Sequence, residues 1–501
     1  MTTGDHRFLK KLKCSEIPIQ REESPAKIIA EIQELDDLTK AEIRRHFDCM
    51  ADLAKRSIAA KRRWNAQIPF TRLPVEVITY IFLLACSEGG RHLTPLRIGS
   101  ICHDWRTIAW SACELWSSVT VCLEVQEEPV DIQSDLLESW LRRAKKRPLS
   151  IVVKYGSEDV EDWEPPPDVL VLVLAHSEQW RSVDLNIPEG WLGCLYTVKG
   201  KIPLLERLTI KGVLKCNEEV FSVAPQLRSA AFKVDYYEPK ELGKISLPWS
   251  QLTELSITSD DIQTCLTVLE RCSSLAHLAL HEKSKPFYRR SDGSTPSSPI
   301  TINLDGMTSL HISSNAEVSS FMGSISAPHL KDVAVRFPRH NPDFPRSLRA
   351  LIARSGCAES ITRLSVVGYI ASEKEMVWFL SALQNLSELE LDNNKRAPSF
   401  SNIFINALHS LTPEITHSGS SSRRLLPNLV SLRYVGPIAL DSHPFLDMLD
   451  ARYNIGGTND VPQLKLVVVR SYDESVKEIG CLSQVESLRA QGMKVDMHYI
   501  E

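Results

Sequence analysis

The segment Leu205-Glu206-Arg207-Leu208-Thr209-Ile210 sets apolar residues at its first, fourth and sixth positions and polar ones between them. Its last four residues alternate polar and apolar, the period of a strand with one face buried. The same arrangement stands earlier as Trp180/Val183/Leu185 and later as Leu227/Ala230/Phe232, Leu252/Leu255/Ile257 and Leu275/Leu278/Leu280. It returns as Met307/Leu310/Ile312, Leu330/Val333/Val335, Ile361/Leu364/Val366, Leu386/Leu389/Leu391, Leu429/Leu432/Tyr434 and Leu464/Val467/Val469. Successive copies begin 22 to 43 residues apart, and six of the ten steps fall between 22 and 25. A unit of that length holds one strand and one crossover. Repetition therefore predicts a stack in which each copy covers the apolar edge left by its neighbour. Two insertions account for part of the longer steps, Arg289 to Pro299 and Thr416 to Arg424, both rich in Ser.

This period and pattern are those of a leucine-rich repeat, with one strand and one helix per turn. The predicted fold class is therefore α/β, with a repeat solenoid over residues 118–501. Before the first full copy, Val119, Val121 and Leu123 alternate as a strand. Ile132, Leu136, Leu137, Trp140 and Leu141 follow at helical spacing, then Leu149, Ile151 and Val153 as a second strand. Strands alternating with helices call for parallel pairing and crossovers. The residues between the apolar positions, among them Thr209, Ser256, Thr258, Ser365 and Glu390, are expected on a concave strand surface open to a partner.

The first 117 residues read differently. Residues 1–24 are polar and broken by Pro18, a flexible tail. Over residues 25–66 no Gly intervenes and Pro occurs only at position 25. Ile28, Ile32, Leu35, Leu38, Ile43, Phe47, Met50, Leu53 and Ile58 recur mostly at steps of three and four. That predicts a long amphipathic helix or helical pair of coiled-coil character, suited to self-association through residues 27–65. Its terminal Lys61-Arg62-Arg63 suits a helix C-terminus or a nuclear-import signal. Residues 67–117 are compact. Pro74 opens a helix carrying Val77, Ile78, Ile81, Phe82 and Ala85 in one stripe. A second helix is expected through PLRIGSICHDWRTIAW, with Ile98, Ile101, Cys102, Trp105, Ile108 and Ala109 on one face. A short third covers Ser111 to Trp116. Three short helices make a marginal core without a partner.

Leu73-Pro74 followed by Glu76, Val77, Ile78, Ile81 and Phe82 resembles the first helix of an F-box. Ile101-Cys102-His103-Asp104-Trp105-Arg106, Ile108-Ala109 and Leu115-Trp116 resemble its later signature. The layout, a helix before the box and degenerate leucine-rich repeats after it, is similar to that of fungal F-box proteins. The resemblance implies a substrate-recognition subunit of a cullin–RING (SCF-type) ubiquitin ligase. Its box would bind a Skp-type adaptor, and through it a cullin, while its repeats hold a protein target. Leu73, Pro74, Val77, Ile78, Ile81, Phe82, Cys102 and Trp105 are carried over by position as adaptor contacts. A repeat scaffold acting outside any ligase is the other reading.

Composition narrows the classes further. Of 501 residues 43% are apolar and 24% charged, which excludes wholesale disorder. A formal charge of −5 supplies no general field for nucleic acid or an anionic membrane. The longest apolar stretches, Val77–Cys86 and Val169–Ala175, fall far short of the ~20 residues of a membrane span. The 12 cysteines form no C-x-x-C pair, so reduced thiols in the cytoplasm or nucleus are expected, without structural zinc. No P-loop, G-x-S-x-G, G-x-G-x-x-G or H-E-x-x-H is present. His281 beside Glu282 and His443 before Pro444 read as solvated loop residues. No catalytic residue, metal or cofactor is expected.

Overall fold

Each of the eleven repeat copies forms a strand. In every copy the first, fourth and sixth positions are at most 3% exposed. The computed structural model describes residues 24–88, 94–123, 130–155, 168–187, 189–212, 219–234, 239–259, 265–282, 301–314, 318–337, 343–368, 372–393, 395, 399–409, 425–454 and 462–500. The expected tail, save Ser24, and both Ser-rich insertions lie outside the described residues. The chain divides into two compact units, residues 1–112 and 113–501.

In the larger unit fourteen strands pair in parallel, side by side in chain order. They are β1 (Ser118–Leu123), β2 (Leu149–Tyr155), β3 (Trp180–Asn186), β4 (Arg207–Gly212) and β5 (Ser229–Val234). Next come β6 (Glu254–Ser259), β7 (His277–Glu282), β8 (Ser309–Ser313), β9 (Asp332–Phe337) and β10 (Arg363–Gly368). The sheet ends with β11 (Glu388–Asp392), β12 (Ser431–Val435), β13 (Leu466–Ser471) and β14 (Lys494–Tyr499). The pairing register carries the sequence pattern across the sheet. Leu208 stands between Val183 and Ala230, and Ile210 between Leu185 and Phe232. Two apolar ladders therefore cross every strand and close the core on one face. This is a mixed α/β architecture built on a large parallel sheet, consistent with a leucine-rich-repeat solenoid.

The crossovers depart from one helix per repeat. The step from Leu252 to Leu275 holds a helix of four residues, Leu266–Leu269, and the step from Trp180 to Leu205 a 3-10 stretch, Glu189–Val198. The longest crossover helices between repeat copies, Phe344–Ser355 and Ser442–Asn454, occupy steps of 31 and 35 residues. A strand and two turns consume most of a 23-residue step, so only longer steps have room for several helical turns. His281 lies on β7 and His443 in the helix Ser442–Asn454, not in loops. The strand continues two residues past Leu280, the last buried position of its copy.

The smaller unit is helical. α1 spans Pro25–Asn65 as one unbroken helix, opened by proline and closed with Arg62 and Arg63 in its last turn; none of its side chains is buried. α2 covers Val75–Glu88. The expected second helix is instead two, α3 (Thr94–Ile101) and α4 (His103–Ser111). Cys102 breaks them with an extended backbone, and its sulfur accepts the Trp105 N–H at 3.5 Å, capping α4. The break turns Ile101 outward, 62% exposed, away from the face it was expected to share with Ile98. Gly99 lets Trp110 approach, since a Cβ there would lie 1.8 Å from the indole. The expected third helix is a single 3-10 turn, Cys113–Trp116. It belongs to the larger unit, where Trp140 Nε1 donates to the Trp116 carbonyl at 3.0 Å and the two indoles meet edge to face.

Candidate protein interaction surfaces

α2 is apolar around most of its circumference, so it cannot bury all of its large side chains in so small a unit. Ile78 and Phe82, one turn apart, take the inner stripe and are each 2% exposed. Phe82 lies 5.1 Å from Trp105 and 6.5 Å from Phe70 between ring centroids, and Phe70 lies 4.9 Å from Trp105. Such aromatic packing holds helix and loop together.

A second stripe remains open. Leu73, Val77 and Ile81 follow at steps of four and are 36 to 43% exposed, with Pro74 exposed at its head. Of the eight residues carried over as adaptor contacts, these four form one accessible ridge. Ile78 and Phe82 serve the interior, and Cys102 and Trp105 are half-buried, one as a helix cap and one as a ring of the aromatic cluster. Sequence reasoning passed over Leu84, three residues beyond Ile81 and also exposed, though helical spacing marks it. It also passed over Val75, Tyr80 and the half-buried ring of Phe70.

The larger unit has its own open surface, the sheet face opposite the ladders. Across β4 to β10 its central row reads Thr209, Ala231, Ser256, Ala279, His311, Ala334 and Ser365, so side chains there are mostly small. Thr209, Ser256, Thr258, Ser365 and Glu390 all occupy this face as expected and are half-buried. Charged residues flank the row. Lys211 pairs with Asp184 at 2.8 Å, and Glu390 accepts from the Ser365 hydroxyl at 3.2 Å. Partial burial, then the nearby Lys233 ammonium and His311 ring, lower the pKa of His281 below the ordinary imidazole value.

One cluster on this face has the composition of a nucleophile triad. Ser309, His311 and Asp332 come together, but a single ring nitrogen, His311 Nε2, faces both the Ser309 hydroxyl at 3.4 Å and Asp332 at 3.3 Å. A relay needs the two ring nitrogens divided between acid and nucleophile. This arrangement instead holds Asp332 ionised. The His311 hydrogen bond, with charges from His311 and Arg363, depresses its pKa against the opposing effect of burial. Among the described residues no group of three His, Cys, Asp or Glu side chains is placed to hold a metal. Nor is any helix among them long and apolar enough to cross a membrane.

No protein-family model matches the chain, and no curated protein matches its sequence. Among solved structures the chain is similar to an internalin from Listeria monocytogenes. Identity is 12%, over 68% of this chain and 86% of that one, at a TM-score of 0.30. So loose a superposition says nothing of what the chain binds.

Proposed function

We propose that the chain is the substrate-recognition subunit of an SCF-type cullin–RING ubiquitin ligase, working in the cytoplasm or nucleus. The observation that carries this reading is the open ridge Leu73, Pro74, Val77 and Ile81 on a unit whose interior takes Ile78 and Phe82, with the half-buried Phe70 and Trp105 packed on Phe82. An apolar ridge left bare on so small a unit is costly unless a second polypeptide seals it. A Skp-type adaptor is the partner that the F-box resemblance names. The open sheet face supports the other half of the role. A row of small side chains between charged margins gives a target backbone close approach and polar anchors. The chain itself then supplies no acid, base or nucleophile. It raises the local concentration of target at a conjugating enzyme carried elsewhere in the assembly.

Binding energy at such a ridge concentrates in few residues. Leu73→Ala together with Pro74→Ala is expected to abolish co-purification of the adaptor while the far-ultraviolet spectrum of the repeats stays unchanged. Undiminished adaptor recovery with this variant sinks the ligase reading. It leaves the chain a protein-binding repeat scaffold.

A further inference from the structure

α1 leaves a different surface unaccounted for. Ile28, Ile32, Leu35, Ile43, Phe47 and Met50 are 41 to 70% exposed, and no residue of the helix is buried. At 100° per residue these six, with Leu53 and Ile58, fall in one sector of about 140°; most of the charges lie outside it, whereas Asp36 and Lys61 stand within it and Lys40 at its edge. A helix of 41 residues with no buried side chain lacks the usual source of helical stability in water. The stripe is therefore a seam for another helix.

The charges on the helix say which helix fits. Residues 25–43 carry five acidic and two basic side chains, and residues 44–65 carry seven basic and two acidic. The polarity extends to the seam and its surroundings, where Glu31, Asp36 and Glu42 outnumber Lys40 in the first half and Arg44, Arg56 and Lys61 lie in the second. A second copy laid parallel sets basic half on basic half and acidic half on acidic half. Laid antiparallel, it sets each acidic half against a basic one. Centred on Arg45, the antiparallel register also brings Ile32 level with Ile58 and Ile43 level with Phe47. A seam about 60 Å long and 10 Å wide on each helix buries about 1,200 Å² in total, the lower end of stable interfaces.

We propose that the chain is a homodimer joined by antiparallel pairing of α1 with α1 of a second copy. The pairing does not depend on the ligase reading, since the ridge of α2 takes no part in it.

Sedimentation equilibrium of the purified full chain tests the proposal. The expected mass is twice 56.4 kDa. Ile32→Asp with Phe47→Asp is expected to return a single-chain mass with the thermal transition of the repeats unmoved. A monomeric wild-type chain, or an unchanged mass for this variant, overturns the pairing. Orientation is read from Glu31→Lys, Asp36→Lys and Glu42→Lys made together. In the antiparallel dimer the new lysines face the partner's basic half, and self-association weakens about tenfold or more at low ionic strength. In a parallel dimer they face only each other, as the acids did, and affinity holds, which overturns the orientation. Mixing this variant with Arg44→Glu, Arg56→Glu and Lys61→Glu is expected to restore a dimer. Failure to restore it overturns the charge argument.

Discussion

Arg452 sits in the last turn of the helix Ser442–Asn454 and is buried. Its guanidinium donates to three main-chain oxygens: Nε to Leu408 at 2.7 Å, Nη1 to Leu426 at 2.8 Å, and Nη2 to Leu425. Arg354 repeats the device from the last turn of Phe344–Ser355, donating to the carbonyls of Ile325 and Met322. Arg489 donates to Val495 and Gly480 from Ser483–Ala490. Arg452 and Arg354 each tie a crossover helix to the backbone of another turn, and Arg489 ties its helix to the chain just before and after it. Arg452→Met keeps the bulk but leaves buried carbonyls unpaired, and is expected to cost about 3 kcal/mol, read as a lower urea midpoint at unchanged slope. A second expectation concerns His281. Because the positive Lys233 helps lower its pKa, Lys233→Met is expected to raise the imidazole titration midpoint toward the ordinary 6.5, followed by NMR. An unmoved midpoint removes Lys233 from the account. None of the arginine staples was legible in the sequence. Their acceptors are carbonyls 26 to 44 residues away for Arg452, and a carbonyl has no residue identity to read. The leucines were legible because burial imposes a period on side chains.

Strands and helices were read unevenly for the same reason. Every predicted strand of the eleven copies formed, because a parallel ladder repeats one chemical demand at each step. β14 went unpredicted: Val495 and Met497 alternate correctly, but the apolar first position of the pattern is missing, with Gly492 where the others carry a large apolar residue. In the small unit the division of α3 from α4 was missed because cysteine is a poor capping residue compared with Ser, Thr, Asp or Asn. The open ridge and the buried stripe of α2 are both apolar, so spacing alone could not say which faces inward; Phe70 and Trp105 decide it. Strand ends carry a further constraint. Gly368 closes β10 opposite Phe337 with φ +135°, and a Cβ there would lie 2.0 Å from the Phe337 carbonyl oxygen. Gly368→Ala combines a disfavoured backbone with a main-chain clash and is expected to destabilise the larger unit by about 3 kcal/mol. A melting temperature equal to the parent's contradicts the close approach at this strand end.

A stack of parallel strands in chain order makes stability a nearest-neighbour property. β8 is paired on both sides, by β7 and β9, whereas among the described residues β14 is paired only by β13. Leu310 in β8 is fully buried, and Leu310→Ala is expected to cost about 2–5 kcal/mol. The loss should spread to both neighbours, because the cavity weakens two strand contacts at once. Val495 occupies the same ladder in β14, yet Val495→Ala removes contacts toward one side only. Hydrogen exchange separates the two cases, since local opening reports the free energy of the strands that open together. In the parent protein, amide protection should decline from the middle strands toward β14. Leu310→Ala should speed exchange from β7 through β9 and beyond, while Val495→Ala should confine the change to β13 and β14. If both substitutions accelerate every strand equally, the larger unit unfolds as one block, and the neighbour-by-neighbour account of its stability fails.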